Sequence, residues 1–199
     1  MRVRYYSLET DRIQMKQLNP FYGHDVPVEG RQIERFNQTV DFIGEPVCPI
    51  LSIGEKSLFD TQLSVHFDRD IDFTVGDLDS FYWEARRNTY KTVFCFEVLE
   101  HLLNPLLFLS TIKYLLDDDS RVYVSIPNHL LKYHWGTVHY HEIDEMRFRY
   151  LCDRAGYEIV RMKVHRYYPL FPNGIRPMIK YVTGWSWFVS RTDRYYYEL

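Results

Sequence analysis

The segment that most narrows the fold is Thr92-Val93-Phe94-Cys95-Phe96. It is too short for a helix of its own and almost wholly apolar, which suits a strand covered on both faces, as in the middle of a parallel sheet. Val47-Cys48-Pro49-Ile50-Leu51-Ser52-Ile53 ends in the same abrupt way at Gly54, and Val122-Tyr123-Val124-Ser125-Ile126 stops at Pro127. Ile71–Val75 alternates like a strand before Gly76-Asp77-Leu78-Asp79, and Tyr157–His165 reads as one more.

Helical patterns fall between these runs. Ile33, Phe36, Val40 and Ile43 recur at helical spacing until Gly44 and Pro46. Residues 58–67 suit a short helix with Leu58, Leu63 and Phe67 inward. Leu102–Leu116 reads as a helix with Pro105 tolerated in its first turn, and Asp117-Asp118-Asp119-Ser120 as a solvated turn. Glu142–Ala155 is amphipathic and capped by Gly156. Strands alternating with helices imply an α/β chain, a Rossmann-like parallel sheet with helices on both faces.

Length and composition agree. The 199 residues, 46% hydrophobic and 26% charged, suit a single globular domain: an irregular segment over 1–30, an α/β core over 31–166 and an aromatic extension over 167–199. Twenty-four basic residues against 27 acidic ones leave a net charge of −3, which gives no electrostatic reason for nucleic-acid binding. Three cysteines more than forty residues apart form no CxxC pair and fit a reducing compartment. With no leader-like start and no run of about 18 apolar residues, a cytoplasmic protein without a membrane span is expected.

In open parallel sheets ligands bind beyond the carboxyl ends of the strands. That selects Gly54-Glu55-Lys56-Ser57, Gly76-Asp77-Leu78-Asp79, Glu97-Val98-Leu99-Glu100-His101 and the segment from Pro127 onward. Asp77 follows Gly54 by 23 residues, close to the ~20-residue gap at which an acid meets a ribose in dinucleotide sites. A carboxylate can accept hydrogen bonds from both vicinal hydroxyls; a solvated turn is the alternative use of the same acid.

Four stretches together resemble the class I S-adenosylmethionine-dependent methyltransferases, in the branch with Glu-Val-Leu-Glu-His after the fourth strand. They are Ile50–Gly54, Phe94–Pro105, Val122–Asn128, and His139-Tyr140-His141-Glu142 leading through a helix to Ala155–Val160. Glu97-Val98-Leu99-Glu100-His101-Leu102-Leu103-Asn104-Pro105 is the specific stretch. The first loop departs from the family's Asp-x-Gly-x-Gly-x-Gly: Ser52 replaces the acid, and Lys56 and Leu58 replace the second and third glycines. Glu55 is the candidate for the missing carboxylate, and the short interval from Asp79 to Thr92 implies a shortened third-strand region.

The resemblance implies S-adenosyl-L-methionine as cofactor. Gly54 and Glu55 would line its methionine end, and Asp77 or Asp79 would hold the ribose hydroxyls. Leu78 and Ser80 would border the adenine, and Glu97 would lie near the sulfonium and amino group. Capping of the following helix is the other role open to Glu97, and a helix-start role suits Glu100 and His101.

Four histidines crowd the loop 128–141. His139, or failing it His141, is the candidate base for an acceptor hydroxyl. His134 and His139 have a metal pair's spacing, but Trp135 and Gly136 between them do not look helical, so no metal is assigned. Structural roles for the loop stay open. The expected function is O-methylation of a small-molecule or saccharide acceptor, the saccharide resting on the resemblance together with Gly174-Ile175-Arg176-Pro177. A non-catalytic binding or scaffolding module of the same fold and a metal-dependent hydrolase are the alternatives, and the aromatic tail permits a homodimer.

Overall fold

The computed structural model describes residues 31–80, 82–87, 89–129, 139–167 and 192–199. The expectations for residues 1–30, for His134 and its neighbours in the loop, and for most of the aromatic extension lie outside them.

The chain runs α1 (Arg31–Ile43), β1 (Ile50–Ser52), α2 (Leu58–Phe67), β2 (Ile71–Phe73) and β3 (Tyr90–Phe96). A 3-10 turn at Leu99–His101 leads to α3 (Pro105–Ile112) and a second 3-10 turn at Lys113–Leu115. Then come β4 (Leu116–His129), α4 (Glu145–Ala155), β5 (Arg161–Tyr167) and β6 (Thr192–Glu198). The strands form one sheet in the order β2-β1-β3-β4-β6-β5. β2, β1, β3 and β4 are mutually parallel, while β6 runs antiparallel to both of its neighbours.

Strand alternation sorts the core into two layers. Leu51, Val93, Cys95, Val122, Val124 and Ile126 face Phe108, Leu109 and Ile112 of α3 and Phe148, Cys152 and Ala155 of α4. Ile50, Phe94 and Tyr123 face Phe42 and Ile43 of α1 and Leu63 and Phe67 of α2. The apolar run at 92–96 is therefore buried from both sides, with Phe94 and Cys95 both fully inaccessible.

Several boundaries differ from the sequence reading. The sheet is mixed, because residues 192–198 enter it as β6. Leu58 is exposed at the first position of α2, and Asp60 is buried with Leu63 and Phe67 instead. Residues 117–120 belong to β4 as an irregularity opposite Lys91, whose ammonium bridges Asp117 and Asp119; pairing resumes at Thr92 and Arg121. α4 starts at Glu145 because Asp144 caps it, accepting the Arg147 amide at 2.8 Å. α3 is shorter than Leu102–Leu116, since Asn104 caps it and 3-10 turns flank it.

The third-strand region is reduced, as expected. Among the described residues, Phe73 and Tyr90 are separated only by an isolated antiparallel bridge between Val75 and Glu84. Gly76 permits that return: a Cβ there would lie 2.7 Å from the Tyr82 carbonyl oxygen, and its φ is +111°.

Candidate active site

In sequence order β1 stands beside both β2 and β3, so the direction of winding changes between β1 and β3. The carboxyl ends of these strands and of β4 carry the segments expected to act, and specific contacts lace them together.

After β1, the Gly54 amide donates to Thr74 Oγ1 at 2.8 Å, joining the β1 and β2 ends. Gly54 has φ +101°, and no atom lies within 4 Å of where its Cβ would be. The turn therefore presents bare backbone beside open space. Lys56 and Leu58 are exposed, and the Lys56 ammonium lies over the Phe73 ring. The carboxylate that reaches Ser52 is Asp60's, which accepts from Ser52 Oγ at 2.6 Å and from the Ser57 amide at 2.9 Å. Ser57 Oγ donates to it as well and accepts the Asp60 amide at 3.2 Å, which closes a capping box on α2. Glu55 is exposed on the same turn.

After β2, Asp77 and Asp79 take different places. Asp77 is exposed, and one of its oxygens accepts the Asp79 amide at 3.0 Å. Asp79 reaches across to the chain entering α3, accepting the amides of Leu103 at 2.7 Å and Asn104 at 3.1 Å. Leu78 is half-buried against the α3–α4 side of the core.

After β3, Glu97 has φ +56°, unusual for a residue other than glycine. Its amide donates to the Ser125 carbonyl at 3.0 Å, and its carboxylate accepts from Ser125 Oγ at 2.8 Å. It is held against β4 and does not cap the 3-10 turn, whose N-cap is Val98.

Beyond that turn, the Glu100 carbonyl accepts the amides of Tyr140 at 2.8 Å and His141 at 3.2 Å. His141 Nε2 lies 3.2 Å from the Leu103 carbonyl oxygen, and His139 Nδ1 lies 3.3 Å from Glu142 Oε1. The rings of His139 and His101 meet edge to face at 4.9 Å. Burial holds the His139 imidazole below its ordinary pKa, with the charge of Glu97 pulling the other way. The roles of Asp60, Ser125 and Glu142 escaped the sequence reading. Asp60 alone left a trace, as the fourth residue of a Ser-x-x-Asp start to a helix.

The edge thus joins Gly54, Asp79, Glu97, Glu100, His139 and His141 through contacts between different loops, and Asp77 abuts Asp79. No family model matches the chain. It is 26% identical over 147 residues to the ubiquinone biosynthesis O-methyltransferase of Haemophilus ducreyi, covering 66% of this chain and 59% of that protein. The chain therefore spans under two-thirds of the length of the curated relative it matches. Solved structures with similar folds include a phosphoethanolamine N-methyltransferase of Haemonchus contortus in complex with S-adenosylhomocysteine. Its TM-score is 0.58 at 12% identity, over 97% of this chain and 58% of that one. An S-adenosylmethionine-dependent methyltransferase from Archaeoglobus fulgidus gives 0.55 at 12% identity, over 83% and 91%. A [4+2]-cyclase gives 0.54 at 11%, over 83% and 78%. With its strand order, its one antiparallel strand and these likenesses, the chain has the class I S-adenosylmethionine-dependent methyltransferase fold.

Proposed function

We propose that the protein is an S-adenosylmethionine-dependent methyltransferase that methylates a hydroxyl oxygen of a small-molecule or saccharide acceptor. The observation that carries the reading is that an open glycine turn follows β1 and the acid Glu97 follows β3, at the carboxyl ends of the two neighbouring strands between which the winding changes. This donor set fits the cofactor. Bare backbone at Gly54 allows close approach, and exposed Asp77 offers acceptors to vicinal hydroxyls. Asp79 is half-buried and holds the Leu103 and Asn104 amides, whereas Asp77 is exposed with one oxygen on the Asp79 amide, so we assign the ribose role to Asp77. Glu97, fixed by Ser125, would put negative charge near the cationic groups of the cofactor.

S-adenosylmethionine supplies, when bound, an electrophilic methyl group on a sulfonium that departs as a neutral thioether. An acceptor hydroxyl must lose its proton as its oxygen takes the methyl, and a histidine is suited to receive it at neutral pH. His141 meets the Leu103 carbonyl through Nε2, and because a carbonyl only accepts, that nitrogen carries the hydrogen. Nδ1 is then the basic nitrogen, and we assign the proton to it. Oxygen as the methylated atom is supported by the O-methyltransferase relative, and the saccharide by the sequence resemblance alone.

Calorimetry with S-adenosylhomocysteine tests the reading. One binding site with a thermal shift is expected; no heat and no shift at millimolar ligand would instead favour a non-catalytic module of the same fold.

A further inference from the structure

We infer that Asp60 is a positioning residue for the cofactor: its carboxylate, reaching back from the first turn of α2, holds the turn after β1 in the open form that receives the methyl donor. This role rests on the methyl-transfer reading and adds to it the side chain that shapes the donor's entrance.

One carboxylate takes both ends of the turn. Ser52, the last residue of β1, donates its hydroxyl to Oδ1 of Asp60 at 2.6 Å. Ser57, the N-cap of α2, donates its amide to Oδ2 at 2.9 Å and its hydroxyl to the same oxygen. Asp60 and Ser52 are both buried, at 7% and 5% exposure, so water competes little for these bonds. Ile53, Gly54, Glu55 and Lys56 are strung between the two anchored ends. Inside the turn, the Ile53 amide donates to the Phe94 carbonyl on β3, and the Gly54 amide donates to Thr74 Oγ1 after β2, both at 2.8 Å. The open side of Gly54 is therefore set by neighbours on three elements.

Gly54 is the only glycine between residues 45 and 75, so one residue alone in this turn has a glycine's freedom, and it uses it at φ +101°. The path of the residues around it is left to side-chain bonds. A carboxylate suits that work because both of its oxygens accept and neither donates. A carboxamide of the same size would accept at one atom and donate at the other, holding one end of the turn and repelling the donors at the other. Asp60 thereby brings a carboxylate to position 52, where the resemblance expects an acid, from eight residues further along the chain.

The test titrates S-adenosylhomocysteine into the full-length protein by calorimetry, without denaturant, and follows hydrogen exchange on the ligand-free samples. Asp60→Asn should weaken binding about tenfold or more with the circular dichroism spectrum unchanged. In the same variant the amides of residues 53–57 should exchange faster while those of β3 keep their protection. Ser52→Ala frees only the β1 end and should weaken binding less, whereas Ser52→Thr, which keeps the hydroxyl, should bind within about threefold of the parent. A merely structural Asp60 would lower the urea midpoint in Asp60→Asn and leave the affinity of the folded protein where it was. That result, or exchange at 53–57 that does not change, would overturn the positioning role and spare the methyl-transfer reading. A parent that binds no S-adenosylhomocysteine would sink that reading and the positioning role with it, whatever the exchange shows of the turn.

Discussion

Asp60 ties the end of β1 to the start of α2. Its carboxylate is buried and takes the Ser52 hydroxyl, the Ser57 hydroxyl and the Ser57 amide. Asp60→Ala removes half of a capping box and strands the Ser52 hydroxyl, which is also buried. A cost of about 2–3 kcal/mol is expected from a lost cap together with an unsatisfied buried group, read as a lower urea midpoint at unchanged m-value. Asp77 and Asp79, two residues apart, should separate cleanly. Asp79→Ala loses two amide hydrogen bonds to the α3 entry and should lower stability by about 1–2 kcal/mol. Asp77→Ala should leave the urea midpoint in place and weaken S-adenosylhomocysteine binding about tenfold or more, the worth of one charge-assisted hydrogen bond. The sequence puts both acids at the right turn but does not divide their work, because the division depends on how near residue 103 comes in space.

Elements that obey a simple period were legible, and those that bend it were not. α1 and α2 have the bounds their periodicity predicts, and β3 its apolar run extended by two residues. The strand start at Leu116 was hidden because three aspartates in a row read as a turn; they fit a strand only through an irregularity in which Asp117 and Asp119 meet Lys91. The start of α4 was misplaced by three residues because Glu142, an apparent first-turn acid, is occupied with His139. Packing of these elements sets the reactivity of the cysteines. Cys95 on β3 and Cys152 on α4 lie in the layer between sheet and helices, and burial pushes the Cys152 thiol up to about 12 and that of Cys95 higher. Cys48, just before β1, is exposed. Ellman's reagent at pH 8 should therefore titrate one thiol rapidly in the native protein and the other two only on unfolding, since the thiolate is the reacting form. Two fast thiols would mean that the α4 layer opens readily.

At the scale of the whole molecule the sheet is completed from its far end. The Asp-Arg-Tyr-Tyr-Tyr-Glu-Leu tail shows no alternation of apolar and polar residues, so nothing local marks it as a strand. It becomes one because it lies between β4 and β5. Among the described residues it is the only strand that pairs with β5, and Leu199 exchanges both backbone hydrogen bonds with Val122 beyond the last paired residue. Tyr197 is fully buried, its ring 4.0 Å from that of Phe148 on α4, so β6 also fixes the helix that follows the histidine segment. Removing residues 192–199 would leave β5 without a partner among the described strands and open an edge on β4, an arrangement prone to pairing with other chains. Loss of a single cooperative urea transition, with aggregation, is the expected result. Tyr197→Ala should cost about 3–5 kcal/mol by opening a cavity, while Tyr197→Phe, which keeps the ring, should cost less than about 1.5 kcal/mol. Hydrogen exchange gives the sharper reading. In Tyr197→Ala the amides of β5 should lose protection before those of β1 and β3, because β5 pairs with β6 directly, whereas β1 and β3 make no pair with it. Equal loss across all strands would show that the two halves unfold as one unit and that β6 is not a separate clasp.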